Sequence, residues 1–257
     1  MKISGNTILI TGGTSGIGFE LAAQLTALAN TVIVTGRTRS HLEEARQKLP
    51  DVHVIQSDVG DPPAIAALHR RIVEEFPDLN ILINNAGIMR QINLNTFGSD
   101  LHDATREVDI NLCGPLRMTL QFLPLLKSQA QAAIVNVSSG LAFVPLVTSP
   151  VYCATKAAIH SFTQSLRVQL KNTHVAVFEV APPITTTPLF ADGVNIQDIG
   201  VRPMQVNDLV TAVVAGIEQD RREIRPGLSN LLKLMSRIAP NSILRQLNRS
   251  ADRILAR

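Results

Sequence analysis

Tyr152 and Lys156 stand four residues apart in the run Tyr152-Cys153-Ala154-Thr155-Lys156, and thirteen residues before the tyrosine the pair Ser138-Ser139 closes an apolar stretch. Residues four apart share one face of a helix, so the Lys156 ammonium can lie beside the Tyr152 phenol. A free phenol titrates near pH ~10, and an adjacent cation favours the phenolate, lowering that value by roughly 1–3 units toward working pH. Such a pair can give and take a proton, as a general acid/base must. The same spacing on an ordinary amphipathic helix gives a packed ring beside a solvated amine, but Tyr152 is the only tyrosine in the chain.

A second signature lies near the N-terminus, where Thr7–Ile10 runs into Thr11-Gly12-Gly13-Thr14-Ser15-Gly16-Ile17-Gly18 and then into a helix-period pattern. The order is strand, turn, helix. Gly12 permits the tight turn, Gly16 lets a pyrophosphate approach the backbone, and Gly18 lets the helix pack closely on the strand. Free amides and the dipole at the helix start attract phosphate charge. By itself the motif also describes an ordinary glycine-rich turn. Its spacing is G-x-x-x-G-x-G rather than G-x-G-x-x-G.

These residues need a frame to bring them together. Apolar β-branched runs at Thr7–Ile10, Thr31–Val34, Val52–Ile55, Asn80–Ile83, Ala133–Val137 and Val175–Val180 alternate with helix-period segments, and a short strand is expected at Glu223–Arg225. Continuous apolar strands between helices predict a sheet covered on both faces. The expected fold is α/β: one doubly wound Rossmann-type domain over residues 1–257, with a mainly parallel sheet of about seven strands. A substrate loop is placed at 188–203 and a helical, basic C-terminal tail at 228–257. Asp58, Asn85, Ser139 and Pro182 fall at strand ends, which in such a sheet border one crevice. With 257 residues, 45% of them hydrophobic, one large core suffices. No apolar run reaches the roughly 18 residues of a membrane span, and a soluble, cytoplasmic protein is expected. Cys113 and Cys153 are too few for a disulfide framework or a zinc site, so reduced thiols and no metal are expected. Cys153 is read as a small side chain filling a packed helix rather than a reactive thiol. Asp61-Pro62 reads as a helix cap with proline at the first position.

In family order, Thr11-Gly12…Gly16-x-Gly18, Asp58-Val59, Asn84-Asn85-Ala86-Gly87, Asn111, Ser138-Ser139, Tyr152-x-x-x-Lys156 and Pro182…Thr187 resemble the short-chain dehydrogenase/reductase family. The stretches Asn30–Arg37, Pro77–Arg90, Ile134–Leu146 and Pro150–Arg167 look like its bacterial DltE-type branch. The resemblance implies a catalytic tetrad of Asn111, Ser139, Tyr152 and Lys156. Tyr152 would exchange the proton and Ser139 would hydrogen-bond the same substrate oxygen. Lys156 would lower the Tyr152 pKa and bind the nicotinamide ribose. Asn111 would interrupt a helix and hold a water linking Lys156 to solvent. Ser138 is read as a strand-end hydroxyl satisfied by backbone.

The resemblance also assigns the cofactor contacts. They are Gly12, Thr14, Ser15, Gly16, Ile17 and Gly18 at the phosphates, and Asp58 and Val59 at the adenine. Asn85, Ala86 and Gly87 follow at the ribose, with Tyr152, Lys156, Pro182, Ile184 and Thr187 at the nicotinamide. Asn84-Asn85-Ala86-Gly87 also has the chemistry of a simple turn. The second strand ends in Val34-Thr35-Gly36-Arg37 with no acid to meet a ribose 2′-hydroxyl, so Arg37, with Arg39 in reserve, points to NADP(H) over NAD(H). Ser15, where many NADP-preferring relatives carry a basic residue, is the counterweight. Pro183 replaces the glycine usual after the sixth strand and predicts a stiffer loop.

Phe143, Val144, Leu146, Leu189, Phe190 and Met204, on segments Leu141–Val147 and Pro188–Pro203, are expected to line an apolar substrate pocket. Asp192 and Asp198 are expected at the surface, with no arginine clamp. These readings predict an NADP(H)-dependent oxidoreductase that interconverts an apolar ketone or aldehyde and the corresponding alcohol. The alternatives are a non-catalytic NADP(H)-binding regulatory or interaction protein and, among enzymes, a 3-oxoacyl thioester reductase. A homodimer or homotetramer is expected, through the helices around Glu107–Lys127 and Tyr152–Lys171. Arg245, Arg249, Arg253 and Arg257 alternate with Ile243, Leu247, Ala251 and Leu255, a basic amphipathic helix over Ser242–Arg257. Packing of its apolar stripe on protein is favoured over peripheral contact with an anionic membrane. No aromatic residues interleave the charges, and nucleic-acid binding is not expected.

Overall fold

The computed structural model describes residues 1–96, 98, 100–190 and 202–249. Its framework is one seven-stranded sheet in the order β3-β2-β1-β4-β5-β6-β7. The strands are β1 (Thr7–Thr11), β2 (Thr31–Gly36), β3 (His53–Gln56), β4 (Leu79–Asn84), β5 (Ala132–Val137), β6 (Val175–Val180) and β7 (Glu223–Ile224). Every pairing is parallel. The expected strands are present, with ends that differ by at most two residues.

Alternate strand residues feed two cores. Ile8, Ile10, Val34, Ile83, Val135 and Phe178 pack under α1 (Gly16–Ala27) and α7 (Val206–Glu218), through Leu21, Leu25, Leu209 and Val213. Leu9, Ile33, Leu82, Ile134 and Val177 pack on the other face under α3 (Pro62–Glu75), α5 (Gly114–Ser128) and α6 (Pro150–Gln169), through Leu68, Ile72, Phe122 and Leu166. Burial on both faces is why the central strands read as unbroken apolar runs. Between β2 and β3 lies α2 (Arg39–Lys48). Asp61 does cap α3 with Pro62 behind it, but its side chain makes no capping bond.

The reversal of strand order on either side of β1 opens a crevice at the C-terminal ends of β1 and β4, where a ligand can lie. On that edge α4 (Leu101–Val108) continues into α5 through one wide, π-helical turn at Asp109–Cys113. The extra residue in such a turn displaces a side chain from the regular helical face, and Asn111 is the one it presents.

The helical tail expected over 228–257 holds two helices, α8 (Leu228–Ile238) and α9 (Pro240–Leu247), and of the helix expected over Ser242–Arg257 only the first residues, to Leu247, lie in α9. Pro240 cannot extend α8 and instead starts α9. Ala251, Arg253, Leu255 and Arg257 lie outside the described residues, as do Asp192 and Asp198.

Candidate active site

The cleft over the C-terminal strand ends has a volume of about 720 Å³ and reaches from the glycine turn to α9. At one end Thr14, Ser15, Gly16 and Ile17 line it, with Gly12 at the base. Gly12 has φ +66°, and a Cβ there would come 2.8 Å from the Ala86 backbone. A Cβ on Gly18 would run into the Gly12 carbonyl oxygen and sit 2.5 Å from the Asn85 amide nitrogen. Turn and helix therefore touch through backbone alone. Ser15 precedes α1 without a side-chain capping bond, which leaves the first-turn amides available to an anion.

Asn85 holds this turn from across the sheet. Its side-chain amide donates to the Thr11 and Gly12 carbonyls, each at 3.0 Å, while Thr11 Oγ1 accepts from the Asn85 and Ala86 backbone amides. The expected cofactor contact and the turn chemistry coexist, since Asn85, Ala86 and Gly87 also line the cleft. Arg37 lines it at the end of β2, near Thr38 and His41; Arg39 is not among the lining residues and starts α2. Asp58 and Val59 complete this side, with the Asp58 carboxylate accepting from the Gly60 amide at 2.8 Å. A close-packed glycine turn and open helix amides suit the pyrophosphate of a dinucleotide, and Arg37 lines the cleft at the end of the second strand.

Ser139, Tyr152 and Lys156 line the cleft further along, from the end of β5 and the first turns of α6. Ser139 Oγ accepts from the Leu141 amide at 3.1 Å. Lys156 is only 5% exposed, donates to the Val137 carbonyl at 2.9 Å, and lies 5.6 Å from the centre of the Tyr152 ring. Burial depresses the Lys156 pKa to about 8. Burial drives the Tyr152 phenol well above its ordinary value, and a hydrogen bond with Ser139 only partly opposes it. The Tyr152 pKa is raised rather than lowered as expected, because desolvation of the buried ring sets its direction. Asn111 is fully buried and clamps both backbone groups of Ile88 at 2.8 Å, with its amide 3.3 Å from Thr155 Oγ1. A Cβ on Gly87 would meet Asn111 Oδ1 at 3.3 Å and Lys156 Nζ at 3.6 Å, so the three converge.

Beyond the tetrad, Pro182, Ile184 and Thr187 line the cleft, and Thr187 lies against Gly16. The loop is tied down. Pro182 O accepts from Gly140 N at 2.8 Å, Ile184 O from Met204 N at 2.9 Å, and Pro183 O from Thr185 Oγ1 at 2.8 Å.

The substrate wall differs from expectation. Leu189 lines the cleft, but Phe143, Val144, Leu146 and Met204 do not. Phe143 packs edge-on against His160, Val144 and Leu146 are buried, and Met204 joins the core beneath the sheet. The Phe190 side chain lies outside the described ones. In their place stand Met89, Leu228, Leu231, Leu232, Ile243 and Leu247, with Arg249 the arginine that sequence reasoning did not foresee there. The helical period of Leu228, Leu231 and Leu232 was visible; the side turned to the cleft was not. Asn248 fastens this roof, accepting from Val147 N at 2.8 Å and donating to the Pro145 carbonyl at 3.0 Å.

Ser138 is a strand-end hydroxyl, as expected, but its principal partner is the buried Glu179 carboxylate at 2.6 Å; the Val180 carbonyl is second at 3.2 Å. Glu179 also meets His160 Nδ1 at 2.8 Å. A charged residue inside the apolar run Val175–Val180 was the available signal. The Cys153 thiol is buried against the Leu146 backbone, and burial pushes its pKa up to about 11, the behaviour of a packing residue.

A family model described as short chain dehydrogenase matches residues 6–195. The chain is 43% identical over 224 residues to the oxidoreductase DltE of Bacillus subtilis, covering 87% of this chain and 89% of that protein. It is 33% identical over 196 residues to an NADP-dependent 3-hydroxy acid dehydrogenase of Schizosaccharomyces pombe, covering 72% and 74%. A short chain dehydrogenase from Burkholderia cenocepacia, solved in complex with NADP, superposes with a TM-score of 0.82 at 26% identity, covering 96% and 99%.

Proposed function

The chain belongs to the short-chain dehydrogenase family of NAD(P)-dependent oxidoreductases, and from that premise we propose that it interconverts an apolar ketone or aldehyde and the corresponding alcohol with NADP(H), using Tyr152 as general acid/base. The observation that carries this reading is the meeting of Ser139, Tyr152 and Lys156 in one cleft with a glycine turn, with the buried Asn111 behind Gly87. The turn Gly12–Gly18, Arg37, Asp58, Val59 and Asn85–Gly87 would hold the dinucleotide, with Pro182, Ile184 and Thr187 at its nicotinamide end. When bound, the nicotinamide supplies hydride to the substrate carbon. Tyr152 gives its proton to the carbonyl oxygen in the reductive direction, and its raised pKa keeps that proton in place at working pH. Ser139 donates a hydrogen bond to the same oxygen and fixes its position. The buried Lys156 ammonium supports the charge developing on the phenol, and Asn111 holds Gly87 and Ile88 against it. NADP(H) preference is supported by Arg37 at the end of β2 and by the NADP named for two of the similar proteins. Exposed Leu120 on α5 and Val168 on α6 support a homo-oligomer paired across those helices.

Oxidation of NADPH and NADH against a panel of apolar ketones, aldehydes and acyl thioesters tests the reading. Turnover should favour NADPH, and Tyr152→Phe should lower it by about 10²–10⁴ while leaving NADPH affinity intact. Tight NADPH binding with no turnover on any substrate would instead identify a cofactor-binding regulatory protein.

A further inference from the structure

The helix α8 presents a face that nothing among the described residues covers. Leu231, Leu234 and Ile238 are 48%, 54% and 68% exposed and recur at helical spacing, while Ser229 on the opposite face is fully buried. The stripe begins inside the cleft, because Leu231 and its neighbour Leu228 also line it. Its surroundings are basic. Arg237 borders the stripe, and Arg245 and Arg249 are exposed on the segment that follows, with no carboxylate paired to any of the three among the described residues. No acidic residue occurs in the sequence between Glu223 and Asp252. Lys233 and Arg225 are already held by Glu223, which separates them from these three.

We propose that α8 docks on an anionic lipid surface, sinking Leu231, Leu234 and Ile238 among the acyl chains with the arginines at the phosphates, so that the cleft opens toward the bilayer. Apolar side chains rimmed by arginine match an interfacial helix, which lies on a membrane and does not cross it. No helix among the described residues is long and apolar enough to span. A second copy of the chain suits the face less well, since a two-fold pairing through α8 would set the arginines against their own copies. That the bilayer delivers substrate to the cleft rests on the reductase reading; the docking itself does not.

Sedimentation of the full chain with phosphatidylcholine vesicles, with and without phosphatidylglycerol, tests the proposal. The protein should pellet with the anionic vesicles and much less with the neutral ones. Leu234→Gln with Ile238→Gln should lower the partition at least about tenfold, with no change in melting temperature or in mass by light scattering. Absence of pelleting with either vesicle would overturn the proposal, as would undiminished binding by the double variant. A dimer that the double variant dissociates would overturn it too, identifying the stripe as an interface between copies. Vesicle binding by a protein without turnover would count against the reductase reading and leave this one standing.

Discussion

The two ends of the cleft are built by different means. The proposed dinucleotide end is built on close backbone approaches: Gly12 and Gly18 bring turn, helix and the Asn85–Ala86 segment so close that a single methyl group has no room. The substrate end is roofed by α8 and α9, which come from the last part of the described chain and are fastened by side-chain bonds from Asn248 to the Pro145–Val147 segment. A site built from backbone contacts tolerates no substitution at its glycines. One roofed by surface helices can change its lining and keep its frame.

The sharpest way to break this contrast is Gly18→Ala. The added Cβ must displace the Gly12 carbonyl or the Asn85 amide, and overpacking of this kind costs about 2–3 kcal/mol, near a hundredfold in NADPH affinity. Fluorescence titration should show that loss while circular dichroism shows an unchanged fold. An unaltered NADPH Kd would mean that the turn is not the dinucleotide site.

Between the two ends sits Lys156, where the proposed function and stability oppose one another. Its depression from the usual 10.5 to about 8 corresponds to about 3 kcal/mol of buried-charge penalty at neutral pH. Replacement by Met removes the penalty and forfeits the bond to the Val137 carbonyl, worth about 1 kcal/mol. Lys156→Met should therefore be inactive and yet melt higher than the parent at pH 7. The sign follows from proton counting. Between pH 8 and 10.5 the unfolded chain holds a proton that the folded one has released, so the parent gains stability as pH rises. The gap in melting temperature should close across that window, and a gap that widens would contradict the buried-charge account.

How far each end was legible follows from the same contrast. Glycine spacing, the strand periods and the Tyr152–Lys156 interval are local patterns, and of these the structure brings Gly12, Gly16, Tyr152 and Lys156 to the lining of one cleft. The place of Arg37 on the cleft wall could be read because it follows directly from the end of β2. The tyrosine pKa was not, because spacing reports the neighbouring cation but not how completely the ring is buried. Phe143, Val144, Leu146 and Met204 were apolar and near the site, yet an apolar side chain serves a core as readily as a pocket. Nothing in the sequence distinguishes Asn248 from any other polar residue near a helix end, since both of its loop partners lie about a hundred residues away.

Asn248→Ala offers the mildest and most selective test of the contrast. Its bonds to Val147 N and the Pro145 carbonyl are largely exposed, where each contributes about 0.5–1.5 kcal/mol, so the fold should survive their loss. What they fix is the angle of α9 over the cleft, and with it Ile243 and Leu247. Loosening the roof weakens contacts made with the apolar body of the substrate in ground state and transition state alike, which raises KM and leaves kcat nearly unchanged. A KM increase of about three- to tenfold, with the NADPH Kd unaltered, is the expected result. If NADPH affinity fell by the same factor, the two ends would be one coupled unit and the division between a rigid cradle and an adjustable roof would be wrong.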